Sequence, residues 1–254
     1  MSVDISILIV SYNSENYLKA CIESILNSRT NYRFEIIVVD NHSSDKSVEI
    51  LTSYEGQIIL LVNNYNYGFA RAMNQSVLKA SGNYILTFNP DAELSMNAIE
   101  NALNYFKANK DVALMAPVIT SSNGSMHYPN YNLNTFEPSS TLRFFADKFS
   151  SVKVDDKPKE VNFVFGTGII LDRLLLNNGK LYPEDTFLFW EEYYLGKQAQ
   201  KLKKTVVINP KFTISHHRSV SFKFNKEKME WMQKLILPYG YFVRIDEHGK
   251  LLAT

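Results

Sequence analysis

Two aspartates each stand immediately after an apolar, β-prone run: Asp40 after Phe34 to Val39, and Asp91 soon after Tyr84 to Phe88. In the second case Asn89-Pro90 ends the predicted strand, and Asp91 falls just past its carboxyl end. Open α/β sheets gather ligands at that edge, and a carboxylate there suits a hard divalent cation that also grips phosphate oxygens. Asn-Pro-Asp alone is an ordinary turn; a second polar cluster on the same edge gives it chemical meaning. Further on, Glu191 and Glu192 follow the aromatic run ending in Trp190, at the start of a basic helix. Two adjacent carboxylates there read either as charge matched to a helix N-terminus or as a positioned general base. Gly166-Thr167-Gly168 interrupts a strand, as happens where backbone must approach something closely. Ser215-His216-His217-Arg218-Ser219 follows a late pair of short strands.

These residues need a scaffold that brings distant loops together, and the pattern predicts one. Ile5 to Val10 is nearly all apolar, a strand covered on both faces. Ser11-Tyr12-Asn13-Ser14 follows, then a helix from about Glu15 that carries Leu18, Cys21, Ile22 and Ile25 at helical spacing. The second strand runs into Asp40-Asn41-His42-Ser43-Ser44-Asp45, where Ser44 or Asp45 is a candidate cap for the next helix. Ile58 to Val62 predicts a third strand, and Phe69 to Ala80 a helix stopped at Ser81-Gly82. Strand and helix thus alternate from Ile5 to Asp91, which predicts a parallel, doubly wound sheet with right-handed crossovers. Asp40 and Asp91 would face one crevice along its edge. Beyond it come a predicted helix from Ser95 to about Asn109, a strand from Val112 to Val118 and a long loop from Ser121 to Ser140. A short helix from Asp172 to Asn178, short strands at Val206 to Ile208 and Phe212 to Ile214, and a final helix after Asn225 with Met229, Trp231 and Leu235 complete the expectation.

Composition narrows the function classes. The 254 residues are 45% hydrophobic, enough for one large α/β domain or two small ones. With Lys+Arg 27 against Asp+Glu 26 there is no basic excess for broad nucleic-acid binding. The single cysteine, Cys21, excludes an internal disulfide and reads as a core residue. No run reaches the ~20 apolar residues of a membrane span, and Ile5 to Val10 has no basic flank or cleavage site of a signal peptide. The expected location is cytoplasmic, with the mixed basic and aromatic C-terminal helix leaving peripheral contact at the inner face of the cell membrane open.

Taken together, the segments from Ile5 to Ser221 resemble the family 2 glycosyltransferases, inverting nucleotide-sugar enzymes of the GT-A fold, and among them the bacterial rhamnosyltransferase-like enzymes of surface-polysaccharide assembly. Ile9-Val10-Ser11-Tyr12-Asn13 is similar to the opening strand and loop that hold base and ribose. Val38-Val39-Asp40-Asn41 is similar to the second nucleotide motif, whose aspartate contacts the base. Asn66-Tyr67-Gly68-Phe69-Ala70-Arg71-Ala72-Met73-Asn74 resembles the segment lining the nucleotide, with Arg71 as its polar contact. Asn89-Pro90-Asp91 stands where the family has its Asp-x-Asp metal motif, and His216 matches a late histidine that completes the metal or diphosphate site. Phe165-Gly166-Thr167-Gly168 resembles the acceptor-side turn, to which Trp190 is added, and Glu184 to Leu195 the acidic segment with the catalytic base. Two positions depart from the pattern: Glu192 replaces the usual aspartate, and Tyr194 falls where the next family acid stands.

The resemblance implies a mixed, largely parallel GT-A sheet flanked by helices on both faces. It would occupy residues 1–222, with a nucleotide-binding half to 94 and an acceptor half from 95, followed by a helical tail over 223–254. The implied cofactor is Mg2+ or Mn2+, held by Asp91 and His216; the donor is a dTDP- or UDP-linked sugar, with rhamnose suggested by the subgroup. The acceptor is a glycan or a polyprenol-linked saccharide. Glu192 would take the acceptor's proton, and Glu191 beside it would raise the carboxyl pKa of Glu192, because like charges resist joint ionisation. The competing readings are a catalytically impaired GT-A protein that binds the nucleotide sugar or assists a partner enzyme, and a nucleotidyltransferase. The latter would carry a glycine-rich basic loop that Ser11-Tyr12-Asn13-Ser14 lacks.

Overall fold

Alternating side chains along β1 (Ile5–Ser11) set the architecture: Ile5, Ile7 and Ile9 enter one apolar cluster, and Leu8 and Val10 another. A strand buried on both faces belongs in the middle of a layered sheet. The split repeats in β2 (Phe34–Asp40), with Ile36 and Val38 on the first side and Ile37 and Val39 on the second. The structure, a computed structural model, describes residues 2–120, 124–127, 131–132, 154–164, 167–184, 191–217, 244–245 and 251–252. The first cluster takes in α1 (Leu18–Leu26), Leu51 of α2 (Ser47–Thr52) and α4 (Ala98–Ala108). The second takes in α3 (Phe69–Val77) and α5 (Glu191–Lys201). Helices therefore flank both faces, as predicted.

The main sheet runs β3 (Ile59–Val62), β2, β1, β4 (Tyr84–Phe88), β11 (Ile169–Asp172), β6 (Val112–Thr120), β12 (Thr205–His216), β5 (Ala92–Leu94). β3, β2, β1 and β4 are mutually parallel; β11 lies antiparallel between β4 and β6; β12 is parallel to β6 and antiparallel to β5. Short β7 (Met126–His127) and β9 (Lys159–Val161) extend it beside β6 and β12, while β8 (Tyr131–Asn132) pairs with β10 (Phe163–Val164) apart from it. This order puts the carboxyl ends of β1, β2, β4, β6 and β12 on one edge, where β11 also begins.

Some expected elements change form. The short strands after residue 205 are one strand, β12, whose pairing with β6 shifts between Asn209 and Thr213; Pro210, lacking an N–H, falls inside that shift. The helix expected from Asp172 shrinks to a 3-10 turn at Arg173–Leu175, because Asn177 and Lys180 close a tight backbone pair beyond it. Most of the Ser121 to Ser140 loop and the helix expected after Asn225 lie outside the described residues, although 244–245 pairs antiparallel with 251–252. Among the described residues no helix is long and apolar enough to cross a membrane.

The amino ends of β1 and β2 are closed by a compact junction. Glu35 Oε1 accepts from Ser6 Oγ (2.6 Å), Ser81 N (2.6 Å) and Ser81 Oγ (2.9 Å), while Gly82 N donates to Ser6 Oγ (2.9 Å). A Cβ on Gly82 would come within 2.6 Å of Ser6 N and 2.7 Å of the Ile5 carbonyl carbon, both rigid backbone of β1. Gly82→Ala is therefore expected to destabilise the fold by about 2–3 kcal/mol through overpacking, read as a lowered Tm. Burial disfavours ionisation of Glu35, but the hydrogen bonds from Ser6, Ser81 and Gly82 outweigh it and hold the carboxyl below its ordinary value of 4.5. A carboxyl depressed in the folded state contributes stability above its unfolded pKa and loses it as the pH falls through the folded one. Melts of wild type and Glu35→Gln from neutral pH to well below 4.5 should show the smaller acid-side loss in the variant.

Candidate active site

The ligand edge is assembled from four loops. Parallel pairing sets Ser11 opposite Asp40 at the ends of β1 and β2. Asp40 is fully buried, and its carboxylate accepts from Ser43 N (2.9 Å) and Ser43 Oγ (2.6 Å), closing the loop after β2 on itself. Ser11 Oγ is buried without a hydrogen-bond partner among the described residues, next to a Tyr12 that is 48% exposed. Asn13, held at a positive φ of 50°, uses its Oδ1 to accept from Ser44 N (2.8 Å) and so ties the β1 loop to the β2 loop. Asn41 is a hub: its Nδ2 donates to Asn66 Oδ1 (2.7 Å) and Gly68 O (3.2 Å), and its Oδ1 accepts from Asn63 Nδ2 and Tyr67 N (both 3.1 Å). All four positions of the amide are used on the loop after β3, so Asn41 shapes the crevice wall. Arg71, exposed on α3, lays its guanidinium over the Tyr67 ring at 4.5 Å and makes no ion pair among the described residues. That leaves its charge available to an anion.

The densest cluster joins β4, β11 and β12. His216 Nε2 lies 3.2 Å from Asp91 Oδ1 and 3.2 Å from Thr167 Oγ1, and Thr167 Oγ1 accepts from Asn89 Nδ2 at 2.9 Å. Asp91 is 3% exposed, and its carbonyl accepts from His217 N (3.0 Å). Gly168 follows at φ 78°, where a Cβ would press on Ile214 and Phe88 at 3.2 and 3.3 Å. The expected metal pair is thus brought together, and Thr167, expected on the acceptor side, touches it. Carboxylate oxygen and imidazole nitrogen side by side fit a Mn2+ or Mg2+ that draws its other ligands from a diphosphate and water. Among the described residues no group of three or more His, Cys, Asp or Glu is gathered to hold a metal. A bracket that the sequence reading missed lies alongside: His217 Nε2 meets Glu93 Oε1 at 2.6 Å, with Tyr17 against the His217 ring at 5.6 Å. Its signal was spacing, since Glu93 follows Asp91 by two residues and His217 follows His216 by one. Cys21, behind Asn89, is buried; burial, aided by Asp91 and Glu93, pushes its thiol far up, which removes it as a nucleophile.

Glu191 and Glu192 open α5, whose Leu195 and Ala199 are buried in the second cluster. Consecutive helical positions are turned roughly 100° apart, so the helix does not of itself face positions 191 and 192 toward each other as the expected pair requires. Glu192 is half-buried. Tyr194 accepts a hydrogen bond from Asn177 Nδ2 (2.9 Å) and packs on the second cluster, a structural tie where the family acid would stand. Gly166, Trp190 and the side chain of Glu191 lie outside the described residues.

The fold is that of the GT-A glycosyltransferases. It superposes on Staphylococcus aureus TarS with a TM-score of 0.62 at 17% identity, covering 85% of this chain and 37% of that one. It matches GalNAc-T7, solved with UDP, GalNAc and Mn2+, with a TM-score of 0.64 at 14% identity, covering 85% and 44%. The chain belongs to Glycosyl transferase family 2, whose sequence pattern matches residues 6–178. It is 30% identical over 234 residues to the Escherichia coli UDP-Glc:alpha-D-GlcNAc-diphosphoundecaprenol beta-1,3-glucosyltransferase WfgD, covering 89% of this chain and 83% of that one. It is 31% identical over 166 residues to the Bacillus subtilis minor teichoic acid biosynthesis protein GgaB, covering 63% of this chain but 17% of GgaB. None of these relatives is named as a rhamnosyltransferase.

Proposed function

We propose that the chain is an inverting, divalent-metal-dependent glycosyltransferase that moves a hexose from a UDP-sugar to a lipid-linked or polymeric glycan acceptor in bacterial surface-polysaccharide synthesis. The observation that carries it is the Asp91–His216 pair with Thr167 at the ligand edge, on the same edge of the sheet as buried Asp40. UDP is favoured over dTDP, and glucose or a similar hexose over the 6-deoxyhexose rhamnose, by the donor in the name of the Escherichia coli relative and the UDP of GalNAc-T7. The diphosphoundecaprenol acceptor of that relative supports a lipid-linked acceptor presented at a membrane surface.

When bound, Mg2+ or Mn2+ supplies positive charge against the departing diphosphate. The chain's own residues do the rest. Asp40 and the exposed Tyr12 ring receive the base, and Arg71, stacked on Tyr67, offers its guanidinium to the phosphates. Glu192 accepts the proton of the acceptor hydroxyl as that oxygen bonds to the anomeric carbon; the bond to the phosphate oxygen breaks on the opposite face, and the configuration inverts. The test is nucleoside diphosphate release from a panel of UDP-, dTDP- and GDP-sugars with Mg2+ or Mn2+ and a mixed lipid-linked acceptor extract. Release from a UDP-hexose is expected. Metal-dependent binding without release from any donor would instead support the impaired, binding-only protein, and no binding at all would end the proposal.

A further inference from the structure

The buried stripe Ala70, Met73, Asn74, Val77 of α3 carries an amide where hydrocarbon would pack as well. Asn74 is 5% exposed, and its Oδ1 accepts from Leu181 N (2.9 Å) and Tyr182 N (3.1 Å). Its Nδ2 donates to Tyr182 O (2.8 Å) and Glu184 Oε1 (3.0 Å), so all four positions of the amide are used on one distant segment. An apolar residue of equal size would strand these buried backbone groups. The same stretch is held from its other end, where Asn177 Nδ2 donates to Tyr194 of α5, and it is braced internally by Lys180, which pairs with Glu184 at 3.2 Å. Residues 177–184 thus bridge α3, which carries Arg71 one turn before Asn74, to α5, which carries Glu192.

We propose that Asn74 is a positioning residue that fixes the donor-side helix α3 against the base-bearing helix α5 through the segment 177–184. The inference rests on Glu192 being the base, and it separates two effects that a general loss of stability would not. Asn74→Asp keeps both acceptor contacts but sets a carboxylate oxygen against Tyr182 O and Glu184. Hydrogen exchange at Leu181 and Tyr182 is expected to speed up by about tenfold or more. UDP affinity with Mn2+ should stay within about twofold and kcat for UDP-hexose should fall by about a hundredfold, since misplacement near 1 Å costs that much. Unchanged exchange at 181–182, or UDP affinity falling in step with kcat, overturns the proposal. If Asn74→Asp does not fold, Glu184→Ala, which removes one of the four bonds, carries the same test with the same directions and smaller changes. If wild type releases no nucleotide from any donor, the functional reading fails while the exchange result still decides whether Asn74 holds the segment.

Discussion

Asp91→Ala is expected to lower UDP-hexose turnover by about a thousandfold, roughly 4 kcal/mol of transition-state stabilisation. On the proposed reading the carboxylate is the anionic donor of the metal pair, and the leaving diphosphate would build its charge beside it. The fold should survive, because the strand contact at this point is made by the Asp91 carbonyl with His217 N and not by the side chain. Steady-state UDP release across a Mn2+ titration, with circular dichroism as the control for folding, checks it. His216→Ala should cost less, about ten- to a hundredfold, because it removes a neutral donor and leaves the carboxylate in place. Equal losses for the two variants would mean that the pair acts as a hydrogen-bonded structural unit and not as a metal site.

Glu192→Gln is the second large effect: kcat should fall by about 10^2 to 10^4 with donor KM little changed, because a general base acts on the acceptor and not on nucleotide binding. The base works deprotonated, so wild-type kcat should rise with pH through its pKa and level off above it. In Glu192→Gln that acid limb should be missing. Glu192→Asp restores the family's usual residue but withdraws the carboxylate by one methylene from a backbone built for glutamate, and a partial loss is expected. A Gln variant with near-wild-type turnover would move the base elsewhere in the acidic segment.

What the sequence made legible follows from periodicity and from edges. β1, β2 and β4 were readable because strands buried on both faces are near-continuous apolar runs, and the polar residue ending each run, Ser11, Asp40 or Asn89, marks the ligand edge. Asp91 and His216, 125 residues apart, were paired by the resemblance alone; their 3.2 Å approach depends on β12 pairing antiparallel with β5, which sets His216 opposite Ala92 and which no local pattern encodes. Asn41 shows the opposite limit. As a polar residue in a nucleotide motif it reads as a ligand contact, yet its four hydrogen bonds go to residues 63–68, because the loop after β3 folds back onto it. Thr167 was placed on the acceptor side by the resemblance; its hydrogen bond with Asn89 arises from β4–β11 pairing, which the turn's own sequence does not announce. Asn74 was hidden for a different reason: an asparagine inside a helical core stripe signals a buried partner but cannot say that the partner lies 108 residues away.

On the proposed function, Asp91 and His216 join a divalent cation to the diphosphate of a UDP-sugar. Calorimetric titration of UDP into the wild-type protein, with Mn2+ and with chelator, tests it without any acceptor. The account predicts binding that tightens by about tenfold or more with Mn2+, and an Asp91→Ala variant whose UDP affinity no longer responds to the metal. UDP binding of equal strength with and without Mn2+ in wild type would contradict it.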